Sequence, residues 1–346
     1  MGTRLGIGLI GCGDIAPAHA KALAKTANAK LVVCMDVVES YAKSLGEEYG
    51  VPATTDVGEL LATPGVEAVT IATPAFTHAG LVEQAAKAGK AVVCEKPLAP
   101  DLADADRLIA ACEGAGVPLS TCFPVRYLAA ARWTRELLAG GALGEVVEVR
   151  LCNLGEKKTS YWTGGYSGRT RTDWRRSRAQ SGGGVVITNL VHHIDLARAM
   201  TGLEVERVYA EAGTFCTEVE VEDVAVASLR YENGAIGLVD GSSCFFGGGN
   251  GWEVVLLGTK GQVRFGLWSG QAEAYLTEAA AGLPAREWVK REFEDAIHVG
   301  FYEEFAAAVR AGRTPPVTGG DGRRALEVAT AIYRAAETGR PVKLPL

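Results

Sequence analysis

The sequence has no C-x-x-C pair among its eight cysteines, no uncharged apolar run of the ~18 residues that cross a bilayer, and no surplus of basic charge. It also lacks internal repeats and low-complexity tracts. Each absence removes a class. The cysteines (12, 34, 94, 112, 122, 152, 216 and 244) are scattered, several in apolar runs such as Val32-Val33-Cys34 and Val92-Val93-Cys94. They read as buried thiols of a reducing compartment, so neither a disulfide frame nor a zinc site is indicated and no metal is expected. The apolar stretch 5–13 ends at Asp14 and follows no basic region, so an export signal is not expected and the cytoplasm is the expected location. A formal net charge of −6 and a pI near 5.6 argue against nucleic acid or an anionic membrane as partner.

What is present is ordinary globular material, 48% hydrophobic and 22% charged, with mean hydropathy +0.09. At 346 residues the chain exceeds one domain of roughly 100–200 residues, so two are expected. Up to residue 122, short apolar runs at 5–10, 31–35, 68–72, 91–94 and 118–122 alternate with helix-period stretches at about 14–26, 39–49, 77–89 and 101–115. Apolar strands alternating with helices make a parallel sheet covered on both faces, hence a doubly wound α/β domain over 1–122. Past Phe123 the rhythm changes. A helix at 128–140, a long strand at 145–153, a loop at 155–180 rich in Gly, Arg and aromatics, and a helix at 184–201 are expected. Antiparallel strands should follow over 204–276, with the Asn233-Gly234 hairpin signal and a turn at 258–261, then helices at 299–312 and 321–338. Residues 123–346 therefore read as an α+β domain with a mostly antiparallel sheet.

Gly11-Cys12-Gly13-Asp14-Ile15-Ala16 is a G-x-G-x-x-A sequence directly after the first strand and before the first helix. The first glycine allows a tight turn, the second lets the backbone approach a pyrophosphate, and the helix N-terminus offers N–H groups to the anion. In a chain with 43 glycines an ordinary turn would look the same, so context decides. Asp36 ends the second strand 25 residues after Gly11, near the offset of a ribose-binding acid. Its carboxylate suits ribose hydroxyls and repels a 2′-phosphate, and Val37, Val38 and Glu39 supply no neutralising cation. NAD is expected over NADP.

Further motifs follow in order: Ile71-Ala72-Thr73-Pro74 with His78, Cys94-Glu95-Lys96-Pro97, Phe123-Pro124-Val125-Arg126, Thr172-Asp173-Trp174-Arg175, Ser181-Gly182-Gly183-Gly184, His192-His193-Ile194-Asp195, His298, and Gly319 to Glu327. Taken together with the fingerprint, this set resembles the glucose–fructose oxidoreductase, inositol dehydrogenase and rhizopine-catabolism (Gfo/Idh/MocA) family from end to end. The resemblance implies a Rossmann domain followed by an open-sheet domain whose outer face carries homodimer or homotetramer contacts. It implies oxidation of a secondary hydroxyl of a sugar, cyclitol or derivative with NAD(P), or the reverse. Gly11, Cys12, Gly13, Asp14, Ile15, Asp36, Thr73, Pro74, His78, Glu95 and Lys96 then border the cofactor.

Hydride transfer needs a group to take the hydroxyl proton. Lys96, at the carboxyl end of a parallel strand, lies where ligands bind in such sheets, and Glu95 reads as its orienting partner. A solvated loop lysine is the plain alternative. The family pattern makes His192 the second catalytic candidate, three residues from Asp195 on one helix face. Where relatives carry an acid four residues before this histidine, the chain has Thr188, with Asn189 beside it, so a carboxylate-assisted relay is not expected; a core histidine remains the alternative. His193 points elsewhere and His19 reads as structural. His298 opens a helix from which it could reach substrate. The segment 161–178 holds Tyr161, Trp162, Tyr166 and Trp174 with Arg169, Arg171, Arg175, Arg176 and Arg178, suited to stack on a pyranose and to bind hydroxyls, carboxylate or phosphate. Arg126, Trp162, Trp174, Arg175, Thr188, Asn189, Asp195 and His298 are the substrate candidates. Two other activities fit the same scaffold: a glycoside hydrolase that recycles tightly held NAD, and a non-catalytic NAD-binding regulator.

Overall fold

The computed structural model describes residues 4–247 and 252–346. They form two compact units, each assembled from three stretches. The first takes the chain up to Pro124, then Thr159–Gly182 and Ala296–Arg323; the second takes Val125–Lys158, Gly183–Asp295 and Arg324–Leu346.

The first unit is built on six parallel strands: β1 (Leu5–Ile10), β2 (Ala29–Met35), β3 (Ala53–Thr54), β4 (Ala68–Ile71), β5 (Ala91–Cys94) and β6 (Leu119–Thr121). Their order is β3-β2-β1-β4-β5-β6. β1, β4 and β5 are buried at every position, which is why they are written as runs apolar on both faces, Thr70 apart. Helices Ala16–Lys25, Glu39–Tyr49, His78–Lys87 and Leu102–Ala115 form the crossovers, each within two residues of its expected bounds. Asp101 caps the last of these by accepting from the Asp104 N–H at 2.8 Å, and Gly116 closes it with φ +65°. The two-residue β3 and the six-residue helix Val57–Ala62 are too short to show a period. Strand order reverses between β1 and β4, so the carboxyl ends of β1, β4 and β5 share the edge where ligands of such sheets bind.

The second unit holds a nine-stranded sheet: β7 (Val146–Leu154), β8 (Val205–Gly213), β9 (Val224–Tyr231), β10 (Ile236–Ser242), β11 (Val254–Gly258), β12 (Gly261–Phe265), β13 (Gln271–Leu276), β14 (Trp288–Glu292) and β15 (Val342–Lys343). The order is β14-β13-β12-β11-β7-β10-β9-β8-β15. All pairs are antiparallel except β7 with β10, because the earliest strand is inserted between two later ones. The hairpin at Tyr231–Ile236 has Gly234 at φ +87°, as its Asn-Gly signal requires. One face is apolar and buried; on the other, Tyr209, Val226, Ile236 and Leu238 stand exposed.

The helix expected over 184–201 is corrected by the structure. It begins as a π-turn, Val186–Leu190, and becomes α-helical at Val191–Thr201. The cause is tertiary. Glu222 accepts the N–H groups of Gly184 at 2.7 Å and Val186 at 3.0 Å, and the Tyr333 hydroxyl accepts from Ile187 N–H at 3.2 Å. A Cβ on Gly184 would stand 1.8 Å from the Glu222 carbonyl oxygen, so only glycine lets this carboxylate reach the turn.

Candidate active site

In the first unit, β1 runs into Gly11, whose φ of +95° suits glycine and whose added Cβ would meet the Ala72 carbonyl at 2.8 Å. Asp36 holds the turn from below: Oδ2 accepts from Cys12 N–H at 2.8 Å and Oδ1 from Val38 N–H at 2.9 Å. Helix Ala16–Lys25 starts next, with a proline in its first turn and no acidic side chain there. A tight glycine turn, an acid at the end of β2 and a helix N-terminus without its own carboxylate fit a dinucleotide.

Segment Thr159–Gly182 is fastened to this turn. The Asp14 carboxylate accepts from Tyr166 N–H at 2.9 Å, from Ser167 N–H at 2.7 Å and from the Ser167 hydroxyl. Burial pushes the Asp14 carboxyl up, but the Ser167 and Tyr166 bonds and nearby Arg175 hold it below the ordinary range. Its side chain is thus committed to the segment. Arg169 donates from Nε to Cys12 O at 3.1 Å and from Nη2 to Ser44 Oγ at 3.3 Å. Arg175 lies 4.6 Å over the Trp174 ring and 5.4 Å over that of Tyr161. Trp162 is buried.

Lys96 follows β5 and is half-buried. Glu95 bonds two ways: Oε2 accepts from Lys96 N–H at 3.0 Å, and Oε1 faces His19 Nε2 at 3.0 Å. His19 Nδ1 meets the Tyr302 hydroxyl at 2.8 Å, which meets Thr70 Oγ1 at 2.8 Å. This chain of side chains is buried throughout. Burial pushes the Lys96 ammonium below its usual range; the Glu95 carboxylate acts against that shift and Arg175 with it. The His298 ring stands edge-on to His19 at 5.7 Å, and burial plus that neighbour bring it down to about 4. His78 faces Thr73 O at 2.9 Å and Leu98 O at 3.1 Å, and burial lowers its pKa. It staples the β4 loop to the stretch after Lys96. Thr73 Oγ1 meets Thr77 Oγ1 at 2.7 Å beyond Pro74, while Ile15 is exposed at the helix start.

The second unit holds Arg126, Thr188, Asn189, His192 and Asp195. Asp195 is fully buried and paired with Arg126 in a two-point fork, Nε to Oδ2 at 2.7 Å and Nη2 to Oδ1 at 2.5 Å. Thr188 Oγ1 bonds Gly184 O at 2.6 Å and Asn189 Oδ1 at 2.9 Å, and Lys157 Nζ donates to the same Asn189 oxygen. His192 is half-buried in the first turn of Val191–Thr201. His193 is buried with Nε2 3.6 Å from Glu253 Oε1.

A family model described as an oxidoreductase family with an NAD-binding Rossmann fold matches residues 5–123, and the model for the GFO/IDH/MocA C-terminal domain matches 131–264. The chain belongs to the Gfo/Idh/MocA oxidoreductase family. It is 31% identical to the myo-inositol 2-dehydrogenase of Thermotoga maritima over 98% of each chain. It is 30% identical to the D-apiose dehydrogenase of Paraburkholderia graminis over 97% of this chain and 88% of that one. Its fold is similar to that of the WlbA dehydrogenase from Bordetella pertussis, solved with NADH and UDP-GlcNAcA (TM-score 0.83, 28% identity, 99% of each chain).

Sequence reasoning about this Gfo/Idh/MocA chain missed four contributors: Tyr302 and Thr70 behind Glu95, and Glu222 and Tyr333 behind the π-turn. None carries a local signal; each acts on residues tens to hundreds of positions away. Arg169 was one of five arginines in the aromatic segment, with nothing nearby to say that it reaches the glycine turn.

Proposed function

We propose that this oxidoreductase oxidises a secondary hydroxyl of a sugar, cyclitol or glycoside, or reduces the corresponding ketone, with Lys96 as the proton-handling group. NAD, when bound, supplies the hydride acceptor. In the oxidising direction a neutral Lys96 amine takes the hydroxyl proton; in the reducing direction its ammonium donates to the developing alkoxide. The observation that carries the reading is Lys96 at the carboxyl end of β5, with an ammonium depressed by burial and a carboxylate beside it fixed by His19 and Tyr302. A lysine left to solvent would need no such support. His192 is the proposed second proton group. Trp174 and Arg175 are assigned to stacking on and bonding the ring. Trp162, Thr188, Asn189 and His298 are assigned to the substrate's surroundings. The Arg126–Asp195 pair supports the His192 helix.

Among the described residues no helix is long and apolar enough to cross a membrane. We place the enzyme in the cytoplasm as a homodimer or homotetramer, joined through the sheet face that exposes Tyr209, Val226, Ile236 and Leu238. The deciding experiment is Lys96→Ala assayed with inositols, aldoses, uronates and glycosides. A fall in kcat of roughly 10²–10⁴ is expected, with NADH affinity held within about threefold. Unchanged turnover would remove Lys96 from the chemistry. Release of free sugar without accumulating NADH would replace dehydrogenation by hydrolysis.

A further inference from the structure

Asp36 guards the ribose corner of the cofactor site, and the residues after it supply no cation. The fold brings one from elsewhere. Arg169 bonds Cys12 through its carbonyl, while Asp36 bonds the same residue through its N–H. Its other partner, Ser44, lies in helix Glu39–Tyr49, which follows Asp36. A guanidinium and a hydroxyl are therefore tied to the two elements that flank Asp36, the glycine turn and the helix that follows it. The placement is built. Arg169 N–H donates to Ser167 Oγ at 3.2 Å, Ser167 is clasped by Asp14, and the next residue, Thr170, is buried with its methyl 3.6 Å from where a Cβ on Gly13 would stand.

In dinucleotide folds an acid at this corner selects the 2′-hydroxyl of NAD, and a nearby arginine accommodates the 2′-phosphate of NADP. This chain has both. We propose that Arg169 and Ser44 form a seat for a phosphate on the adenosine ribose, so that exclusion of NADP rests on the Asp36 carboxylate alone. The guanidinium has five N–H donors, of which the two named bonds use two, and the rest suit the fork geometry of a phosphate. The inference goes beyond the proposed reaction and concerns cofactor choice only, so it is read by binding and does not depend on the role of Lys96.

The test is fluorescence titration of NADH and NADPH into the wild type, Asp36→Ser, and Asp36→Ser combined with Arg169→Gln or Arg169→Lys. Asp36→Ser should improve NADPH affinity relative to NADH at least ~10-fold. Adding Arg169→Gln should remove most of that gain while NADH affinity moves by less than ~3-fold, and Arg169→Lys should keep more of it than Gln. Should the Gln variant fold poorly in thermal unfolding, Ser44→Ala on the Asp36→Ser background carries the test, costing NADPH ~3-fold and NADH nothing. If Asp36→Ser gains no NADPH affinity, or folded Arg169 variants weaken both dinucleotides alike, Arg169 is a strap and the proposal fails.

Discussion

Two helix starts in this molecule are built on glycine and have opposite uses. In the first unit, Gly11 and Gly13 lead into Ala16–Lys25, whose first turn has no acidic side chain. Of the carboxylates close by, that of Asp14 is spent on Tyr166 and Ser167 and that of Asp36 on Cys12 and Val38. The positive end of the helix is left for an anion from outside. In the second unit, Gly183 and Gly184 lead into the π-turn, and Glu222 fills that end with the chain's own carboxylate. A Cβ on Gly183 would stand 2.2 Å from the Tyr333 hydroxyl, whose proton goes to Glu222 at 2.9 Å. Glycine before a helix thus reports close approach, and the fate of the nearest acid says whether the visitor is a ligand or the protein itself.

The largest effect should come from adding one methyl group at each start. At Gly184 the new Cβ meets the Glu222 carbonyl at 1.8 Å, and backbone must move. Gly184→Ala should cost about 3 kcal/mol or more, seen as a lower Tm. At Gly13 the nearest atom is the Thr170 methyl at 3.6 Å, an ordinary contact. Gly13→Ala should leave stability within ~1 kcal/mol yet weaken NADH ~10-fold by holding the cofactor off the backbone. Thermal unfolding and NADH titration check both, and matching losses in the two variants would erase the distinction.

Glu95 in the first unit and Glu222 in the second are both buried, and pH separates them. Glu95 lies beside Lys96, so Glu95→Gln removes the carboxylate that opposes the burial-driven fall of the ammonium pKa. The rise of kcat with pH in the oxidising direction should move to lower pH, with plateau kcat down ~10-fold for a weaker base. Glu222 instead bonds two N–H groups and the Tyr333 hydroxyl, and burial pushes its carboxyl up against their pull. A raised pKa means that its contribution to stability is complete below the ordinary glutamate range and is lost as pH rises through the raised value. Glu222→Gln lacks that decline, so its Tm deficit against wild type should shrink from acid to neutral pH. A shifted rate profile in Glu222→Gln would show that the second carboxylate also serves the chemistry.

The contrast also explains what could be read in advance. β1, β4 and β5 are buried on both faces, so their strand character is local, and the Gly11–Asp36 pairing spans a single βαβ unit. The place of Lys96 just past a strand end was legible, because β5 is an apolar run that stops at Cys94; its proposed role came from the ordered set of motifs and not from the E-K-P string. The π-turn was not: 184–201 has helical spacing, and its first turn is reshaped by Glu222 and Tyr333, which no nearby residue announces. Arg169 and Arg175 look alike in a run of arginines; Asp14 and Ser167 determine that the first reaches Cys12, while Trp174 and Tyr161 hold the second.

The smallest effect should come from the clasp itself. Asp14 accepts two backbone N–H groups and a hydroxyl, and Asn at this position keeps one acceptor oxygen while turning an NH₂ toward donors. Losing charge-assisted bonds of this kind costs roughly 1–2 kcal/mol, all of it local to Thr159–Gly182. Asp14→Asn should leave global Tm nearly unchanged, raise proteolytic cutting at the exposed stretch 166–168 a few-fold, and weaken NADH ~2–3-fold as the amide NH₂ disturbs the glycine turn. Because the native carboxyl is held below its ordinary range, wild type should show the same loosening as pH falls through that lowered pKa, and the variant should not change there. If Asp14→Asn resists protease as well as wild type does, the segment is held by Thr170 and Arg169 alone. Asp14 would then be free to turn back toward the helix start, and the first unit would carry its own anion there as the second one does.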